Sequence, residues 1–457
     1  MPTRRAARPS GVACGRSRPA VRRHHPPAIP VTTEDDVQIL FCKWEEVSLR
    51  ALLNRGARVH LVLDAFDLDH ARPDPELLGR MAAVWRVSHF DSIDELSAVA
   101  ADLLVSGVHI DRIASFTEFS QFGAGLLAEL LGLDDTSPRL ALHARDKRMM
   151  KIKAKAAGWR HARFAGVSRH DQRPDPATLA ETVGFPMVAK PVNGMGSLST
   201  TLVRDADGLE ALLKQPAFAP ELHSRQLVLE EHISGSEYHV DAVWRRGKPW
   251  QLHISRYLRP RIEAVDPGHD NGSLIVPRED DPELYAYVED RHVALNAELG
   301  FDTGVTHLEL FRTGSDEIYF SEIATRLAGA NVPEAIGAYC GVNLREAWVH
   351  ELCGGSPESL EYTGPPFRYV GWINLAPAGD GVISGMPSKE ALAADPNILD
   401  WTFLHDVGDQ VELAHPSVWC LLLVIGADTM EDFHAAVARI EREHPLSVAG
   451  IDTNGGS

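Results

Sequence analysis

Two glutamates stand in the stretch THLELFRTGSDEIYFSEIATRLAG (306–329), at Glu309 and Glu322. The runs Thr306–Arg312 and Glu317–Ala324 alternate apolar and polar residues. Gly314-Ser315-Asp316 between them is a turn signal, so the pattern predicts a β-hairpin. A four-residue loop over Gly314–Glu317 pairs Thr313 with Ile318 and sets Glu309 opposite Glu322 on one face. Opposed Cβ atoms lie about 4.5–5.5 Å apart, where like charges destabilise. A divalent cation between them removes the objection. A hard ion such as Mg²⁺ takes carboxylate oxygens and fills its shell with water and phosphate oxygens. The competing reading is a solvated face in another register.

Other residues suit a phosphorylated nucleotide. Lys190 ends an apolar strand before Asn193-Gly194-Met195-Gly196-Ser197, a turn whose backbone N–H groups can cradle an anion. The segment lacks GxxxxGK[ST] and GxGxxG, so it is neither a P-loop nor a dinucleotide fingerprint. In VLEEHISGSEYHV (228–240), Glu230 ends one strand and Glu237 begins the next, where a carboxylate can accept both hydroxyls of a ribose. Lys147 lies in a cationic helical stretch, 146–159, and is ordinarily just solvated. Arg326 is a planar cation suited to bidentate phosphate or carboxylate contact, or to pairing with Glu322. His307 shares the face of Glu309 and reads as a packed histidine beside the site.

These residues need a scaffold, and the chain is long enough for one. Its 457 residues fit about three domains of roughly 150 residues each. From Val37 the pattern is α/β: strands at 37–42, 57–64 and 112–118 alternate with helices, which suggests a parallel sheet. DDTSPRLALHA reads as a linker. Residues 184–203 read as strand, Gly-rich loop, strand, and 226–257 as three strands. Residues 259–280 read as a long polar loop and candidate lid. Pro282–Leu299 and Ala330–Cys353 read as helices, and a final α/β piece covers about 365–450.

Net charge is −19, which argues against nucleic acid or an anionic membrane as partner. Residues 1–33 hold seven Arg and no acid, and their Pro- and Arg-rich composition predicts a disordered basic tail. Arg4-Arg5 lacks the apolar run of a twin-arginine signal. No stretch is apolar enough to span a bilayer. The five cysteines are odd in number and lack CxxC spacing, so they read as free thiols in a cytoplasmic protein.

Taken together and in this order, the motifs resemble the ATP-grasp superfamily over about 140–355. The resemblance implies an α/β (α+β) protein with a disordered tail (1–35) and a Rossmann-like pre-ATP-grasp domain (36–138). A two-lobed ATP-grasp domain (139–355) and a C-terminal α/β subdomain (356–457) follow. It implies that Lys147 and Lys190 contact the ATP phosphates under the 193–197 loop. Glu230, Glu231, His232 and Ile233 run along the adenine with backbone groups and the Glu230 side chain, and Glu237 takes the ribose. Glu309 and Glu322 hold Mg²⁺ (or Mn²⁺), and Arg326 faces a phosphorylated intermediate. Arg256, Tyr257 and Arg259 are candidates to anchor a substrate carboxylate, with His307 beside them. Many members carry Asn two residues after the second Glu; here that position is Ala324, which leaves a second metal contact without its ligand. EIATR and GWINLAPAGDGVISG are similar to the L-amino-acid ligase (dipeptide-forming) and carnosine-synthase-like branch. The implied function is ATP-dependent joining of a small-molecule carboxylate and amine, amino acids or their like, through an acyl phosphate, with a homodimer as a possible assembly. A carboxylase of the biotin-carboxylase type and a non-catalytic nucleotide-binding module are the alternatives.

Overall fold

The computed structural model describes residues 37–449 apart from 169–173, 197, 220–221, 223, 263–270 and 414–417. The expected tail (1–35), Cys14, Ser197 and the middle of the 259–280 segment therefore lie outside the described residues. No described helix is long and apolar enough to cross a membrane. Cys42, Cys340, Cys353 and Cys420 are free thiols.

The first layer is a four-stranded parallel sheet in the spatial order Ala83–Arg86, Arg58–Leu63, Gln38–Cys42, Arg112–Ser115. Its inner strands are apolar on both faces because helices cover both, as a parallel sheet requires. The short strand Ala83–Arg86 was not expected; four residues half-exposed on alternate positions leave little sequence signal. The DDTSPRLALHA stretch is not a linker throughout. Ser137 accepts from Leu140 N–H and starts a helix, Pro138–Arg145, with Pro at its first position.

A nine-stranded sheet forms the centre. Its order is Ile398–Phe403, Leu421–Ala427, Tyr369–Leu375, Gly272–Ile275, Lys248–Tyr257, Ser236–Arg245, Gly304–Arg312, Ile318–Ala324, Arg160–His161. The 259–280 stretch is thus not one loop: Gly272–Ile275 is a strand that couples residues 248–257 to residues 369–375. Its Gly272 is needed there, since a Cβ would stand 2.1 Å from Trp372 O. Residues 330–353 form two helices, Val332–Cys340 and Leu344–Leu352. Gly341, at φ +83°, ends the first, and Asn343 caps the second.

A smaller antiparallel sheet, Phe164–Val167, Leu227–Glu231, Met187–Pro191, Thr201–Val203, faces the central one and carries its own apolar core under two helices. The cleft between the two sheets holds Lys147, Lys190, Glu230, Glu237, Glu309, Glu322 and Arg326 among the predicted residues. A three-stranded sheet, Gln410–Val411, Gly381–Gly385, Ser447–Ala449, lies near the C-terminal end.

Candidate active site

The hairpin forms by a different route from the one its spacing predicts. Arg312, not Thr313, pairs with Ile318, because five residues rather than four make the turn. Asp316 closes it at φ +67°. That register alone would turn Glu322 to the wrong face, since a one-residue slip exchanges faces. A β-bulge between Phe320 and Glu322 inserts Ser321 and restores the pairing of Glu309 with Glu322.

The lysines come from two elements. Asp146 caps the helix Lys147–Ala156 by accepting from Arg148 N–H. Lys147 and Lys151, one turn apart, both point inward and are buried. Lys147 Nζ lies 2.9 Å from Glu322 Oε2 and donates to Gly194 O at 2.6 Å. Lys190, on Met187–Pro191, reaches Glu322 Oε1 at 3.1 Å and Glu230 Oε2 at 3.2 Å. Lys151 was not anticipated. Its Nζ meets Glu230 Oε1 at 2.5 Å and Ser321 O at 3.2 Å, which also ties the bulge to the helix. Its spacing of four from Lys147 was the available signal.

The charges compensate one another. Burial raises a carboxyl pKa, but Lys147 and Lys190 overcome this at Glu322 and hold it well below the usual range. At Glu230, Lys151 and Lys190 do the same. Burial lowers the Lys190 pKa, yet Glu230 and Glu322 outweigh that and push it up. In Lys151 burial wins, and the pKa falls. Among the described residues Glu309 has no lysine contact. Tyr257 Oη lies 3.4 Å and His307 Nε2 3.5 Å from its Oε1. Its pKa is still depressed: burial and the Glu322 charge oppose this, and His307 with Lys190 prevails. Burial disfavours charge on His307, but the neighbouring Asp241 carboxylate lifts it to about 9.

Glu237 also lines the cleft and accepts from Arg261 N–H at 2.6 Å. Burial, reinforced by the Glu309 charge, pushes its pKa up to about 8. Gly235 between Glu230 and Glu237 admits no side chain: a Cβ would lie 2.3 Å from Arg312 O, so the turn packs directly on the hairpin.

The cleft, about 1300 Å³ with its open mouth, is lined by Lys147, Lys190, Gly194, Met195, Gly196, Glu230–Ile233, Glu237, His307, Glu309, Glu322 and Arg326. Three expectations are corrected in part. The Glu230 side chain, expected to face adenine, is held between Lys151 and Lys190. In the same segment the Glu231 and His232 N–H groups already donate to Arg163 O and Pro186 O. Asn193 stands behind the loop, where its carbonyl accepts from Arg145. Arg256 alternates with Tyr257 along its strand, faces away from the cleft, and lies 4.0 Å from Met430 Sδ. Arg259 is not among the lining residues, whereas Pro260, Arg261 and Ile262 are. Arg261 stacks its guanidinium over Tyr257 and Trp419, a contact that no motif announced.

Arg326 does not pair with Glu322. Its Nε donates to Glu118 Oε2 at 2.6 Å, and Arg145 meets the other Glu118 oxygen at 2.7 Å. Glu118 follows the last strand of the parallel sheet, so the first layer reaches into the site through one buried carboxylate. Burial raises its pKa, and the two arginines bring it below the usual range.

Residues 183–334 match the family model described as an ATP-grasp domain. The chain is 26% identical over 331 residues to the L-arginine-specific L-amino acid ligase of Bacillus subtilis, covering 72% of this chain and 78% of that protein. It is 24% identical over 232 residues to a D-alanine–D-alanine ligase of Pseudarthrobacter chlorophenolicus, covering 47% and 55%. The fold matches the crystal structure of an L-amino acid ligase from Bacillus licheniformis with a TM-score of 0.73 at 16% identity, covering 92% of this chain and all of that one.

Proposed function

We infer that this chain, which carries an ATP-grasp domain, is an ATP-dependent carboxylate–amine ligase that joins amino acids by an amide bond. The observation that carries the reading is the Glu309–Glu322 pair, both ionised, opposed across a ladder and flanked by Lys147 and Lys190 in one cleft. The donor set fits Mg²⁺ or Mn²⁺. Glu309 lacks a lysine partner among its described contacts, and two facing carboxylates match the preference of these ions for oxygen. When bound, the ion neutralises charge on the transferring phosphoryl group.

The protein's own residues do the rest. Lys147 and Lys190 counter the triphosphate charge, and Glu237 accepts the ribose hydroxyls. Phosphoryl transfer depends on positioning and neutralisation more than on covalent help. The acid substrate's carboxylate oxygen attacks the γ-phosphorus, and the bond to the β-phosphate oxygen breaks to release ADP. The amine nitrogen then attacks the acyl carbon of the resulting acyl phosphate. Inorganic phosphate leaves with the bonding pair and the nitrogen sheds a proton. Arg326, braced by Glu118, donates to the phosphoryl and carbonyl oxygens as charge develops there. Water must be kept from the acyl phosphate during the reaction.

A phosphate-release screen over pairs of L-amino acids, with mass spectrometry of the products, tests the assignment. A dipeptide mass with ADP is expected. Hydroxylamine plus the acid substrate alone should trap a hydroxamate, with ADP formed in step. Release of AMP and pyrophosphate, or release that requires bicarbonate and biotin, overturns the reading.

A further inference from the structure

A buried polar chain runs across the central sheet next to the metal carboxylates. Positions 237, 239 and 241 share one face of Ser236–Arg245. On the neighbouring strand, Glu309 lies opposite His239 and His307 opposite Asp241. Ser273 Oγ is 2.8 Å from His239 Nε2, and His239 Nδ1 is 2.5 Å from Asp241 Oδ2. Asp241 Oδ1 is 2.8 Å from His307 Nδ1, and His307 Nε2 faces Glu309 Oε1 at 3.5 Å. Asp241 cannot donate, so each facing Nδ1 carries the proton. His239 Nε2 hydrogen-bonds with the Ser273 hydroxyl, which can donate or accept.

His239 and Asp241 are fully buried and do not line the cleft, so neither reaches a substrate. Farther along the same face Val243 and Val305 are apolar and belong to a continuous core. Apolar residues at 239 and 241 would extend it, and replacing buried ionic groups in that way is often neutral or stabilising. The polar set is therefore a poor device for stability. The three ligating atoms lie within 4.8 Å of one another, as a metal site would require. Both nitrogens facing Asp241 are already hydrogen-bonded to it, so the geometry is that of a relay.

We propose that Asp241 is a positioning residue that orients Glu309 for the divalent ion. It fixes the His307 ring through Nδ1, and the other ring nitrogen holds Glu309 Oε1, while His239 and Ser273 lock Asp241 from behind. Glu322 is oriented by two lysines, and Glu309 by this chain. Ala324, directly across the ladder from His307, leaves the imidazole room. Partners of this kind govern metal affinity because they fix the ligand's rotamer before the ion arrives.

The proposal rests on the metal reading of Glu309 and Glu322, and one experiment separates the two. Mn²⁺ binding is measured by electron paramagnetic resonance in the presence of a non-hydrolysable ATP analogue. Analogue binding without metal is measured alongside. Asp241→Asn and His307→Gln should each weaken Mn²⁺ by about 10- to 100-fold, and Asp241→Asn, outside the cleft lining, should leave metal-free nucleotide binding unchanged. Glu309→Gln should weaken Mn²⁺ at least as much. If Glu309→Gln binds Mn²⁺ normally, the metal reading fails. If Glu309→Gln loses Mn²⁺ while Asp241→Asn and His307→Gln keep wild-type affinity, the relay fails alone. Should Asp241→Asn not fold, His307→Gln decides. Stoichiometric metal in the purified protein that disappears in His239→Gln would place an ion among these residues and overturn the relay.

Discussion

Glu322→Gln separates the roles of one carboxylate that touches two lysines. Lys147, Lys151 and Lys190 meet Glu230 and Glu322, while Glu309 beside them faces His307, so Glu322 supplies one of the two carboxylates that the three lysines share. Breaking a buried pair costs about 3–5 kcal/mol. Here both lysines keep another partner, Gly194 O for Lys147 and Glu230 for Lys190, so the low end, about 3 kcal/mol, is expected. The fold should survive. The lysines then lose one countering negative charge in the cleft proposed for ATP's phosphates, so metal-free ATP should bind as well as before or more tightly. Loss of a metal ligand acts in the opposite sense on turnover. A deficit of about 4 kcal/mol in the transition state lowers kcat about 10³-fold. The assay is coupled ADP release with the amino-acid pair that the screen identifies, with nucleotide binding measured in EDTA. A variant within tenfold of wild-type kcat refutes the metal role. Metal-free ATP binding lost together with activity refutes the charge argument.

Three other outcomes follow from the same geometry. Arg326→Lys keeps the charge but loses the fork, so kcat should fall at least 10²-fold with little change in ATP affinity, and the hydroxamate yield should fall in parallel; unchanged trapping removes Arg326 from the acyl phosphate. Lys151→Met should destabilise the protein by about 3–5 kcal/mol by leaving Glu230 with Lys190 alone, and adding Glu230→Gln should recover part of the loss in chemical denaturation. Glu237 has its folded-state pKa raised from 4.5 to about 8, so the native state holds the extra proton and the unfolded state does not. Its stabilisation is complete below pH 4.5 and is lost as pH rises through about 8, so the melting temperature of the nucleotide-free protein should decline across that window. Glu237→Gln should flatten the decline, and an unaltered slope would show that the carboxyl is not the group responsible.

Much of the site was legible because its residues are tied to local signals. A turn flanked by two alternating runs identifies a hairpin, and a lysine at the end of an apolar strand before glycines marks the loop proposed to cradle phosphate. Seven residues with a glycine between them join Glu230 to Glu237. Each of these depends on chain geometry over about twenty residues or fewer, which period-2 alternation and turn chemistry report directly. The motif order then led to the ATP-grasp domain, and the family match over 183–334 bears that out.

What local pattern could not specify is which partner each charge meets. Glu309 faces Glu322 only because a bulge at Ser321 corrects a register that the turn alone sets wrongly, and Lys151 holds the carbonyl of that bulge. Arg326 meets Glu118, 208 positions earlier in the chain, because the parallel sheet docks against the central one. Arg256 and Tyr257 are neighbours in sequence, yet strand alternation and a nine-stranded sheet send them to opposite faces. The His239–Asp241–His307 chain joins two strands that are adjacent in the sheet but more than sixty residues apart in sequence. Side-chain identity and spacing determine which groups are available and how each element forms. Pairing between distant strands and burial between layers decide which of those groups meet, since loop closure and apolar burial act over the whole chain and leave no local periodicity behind.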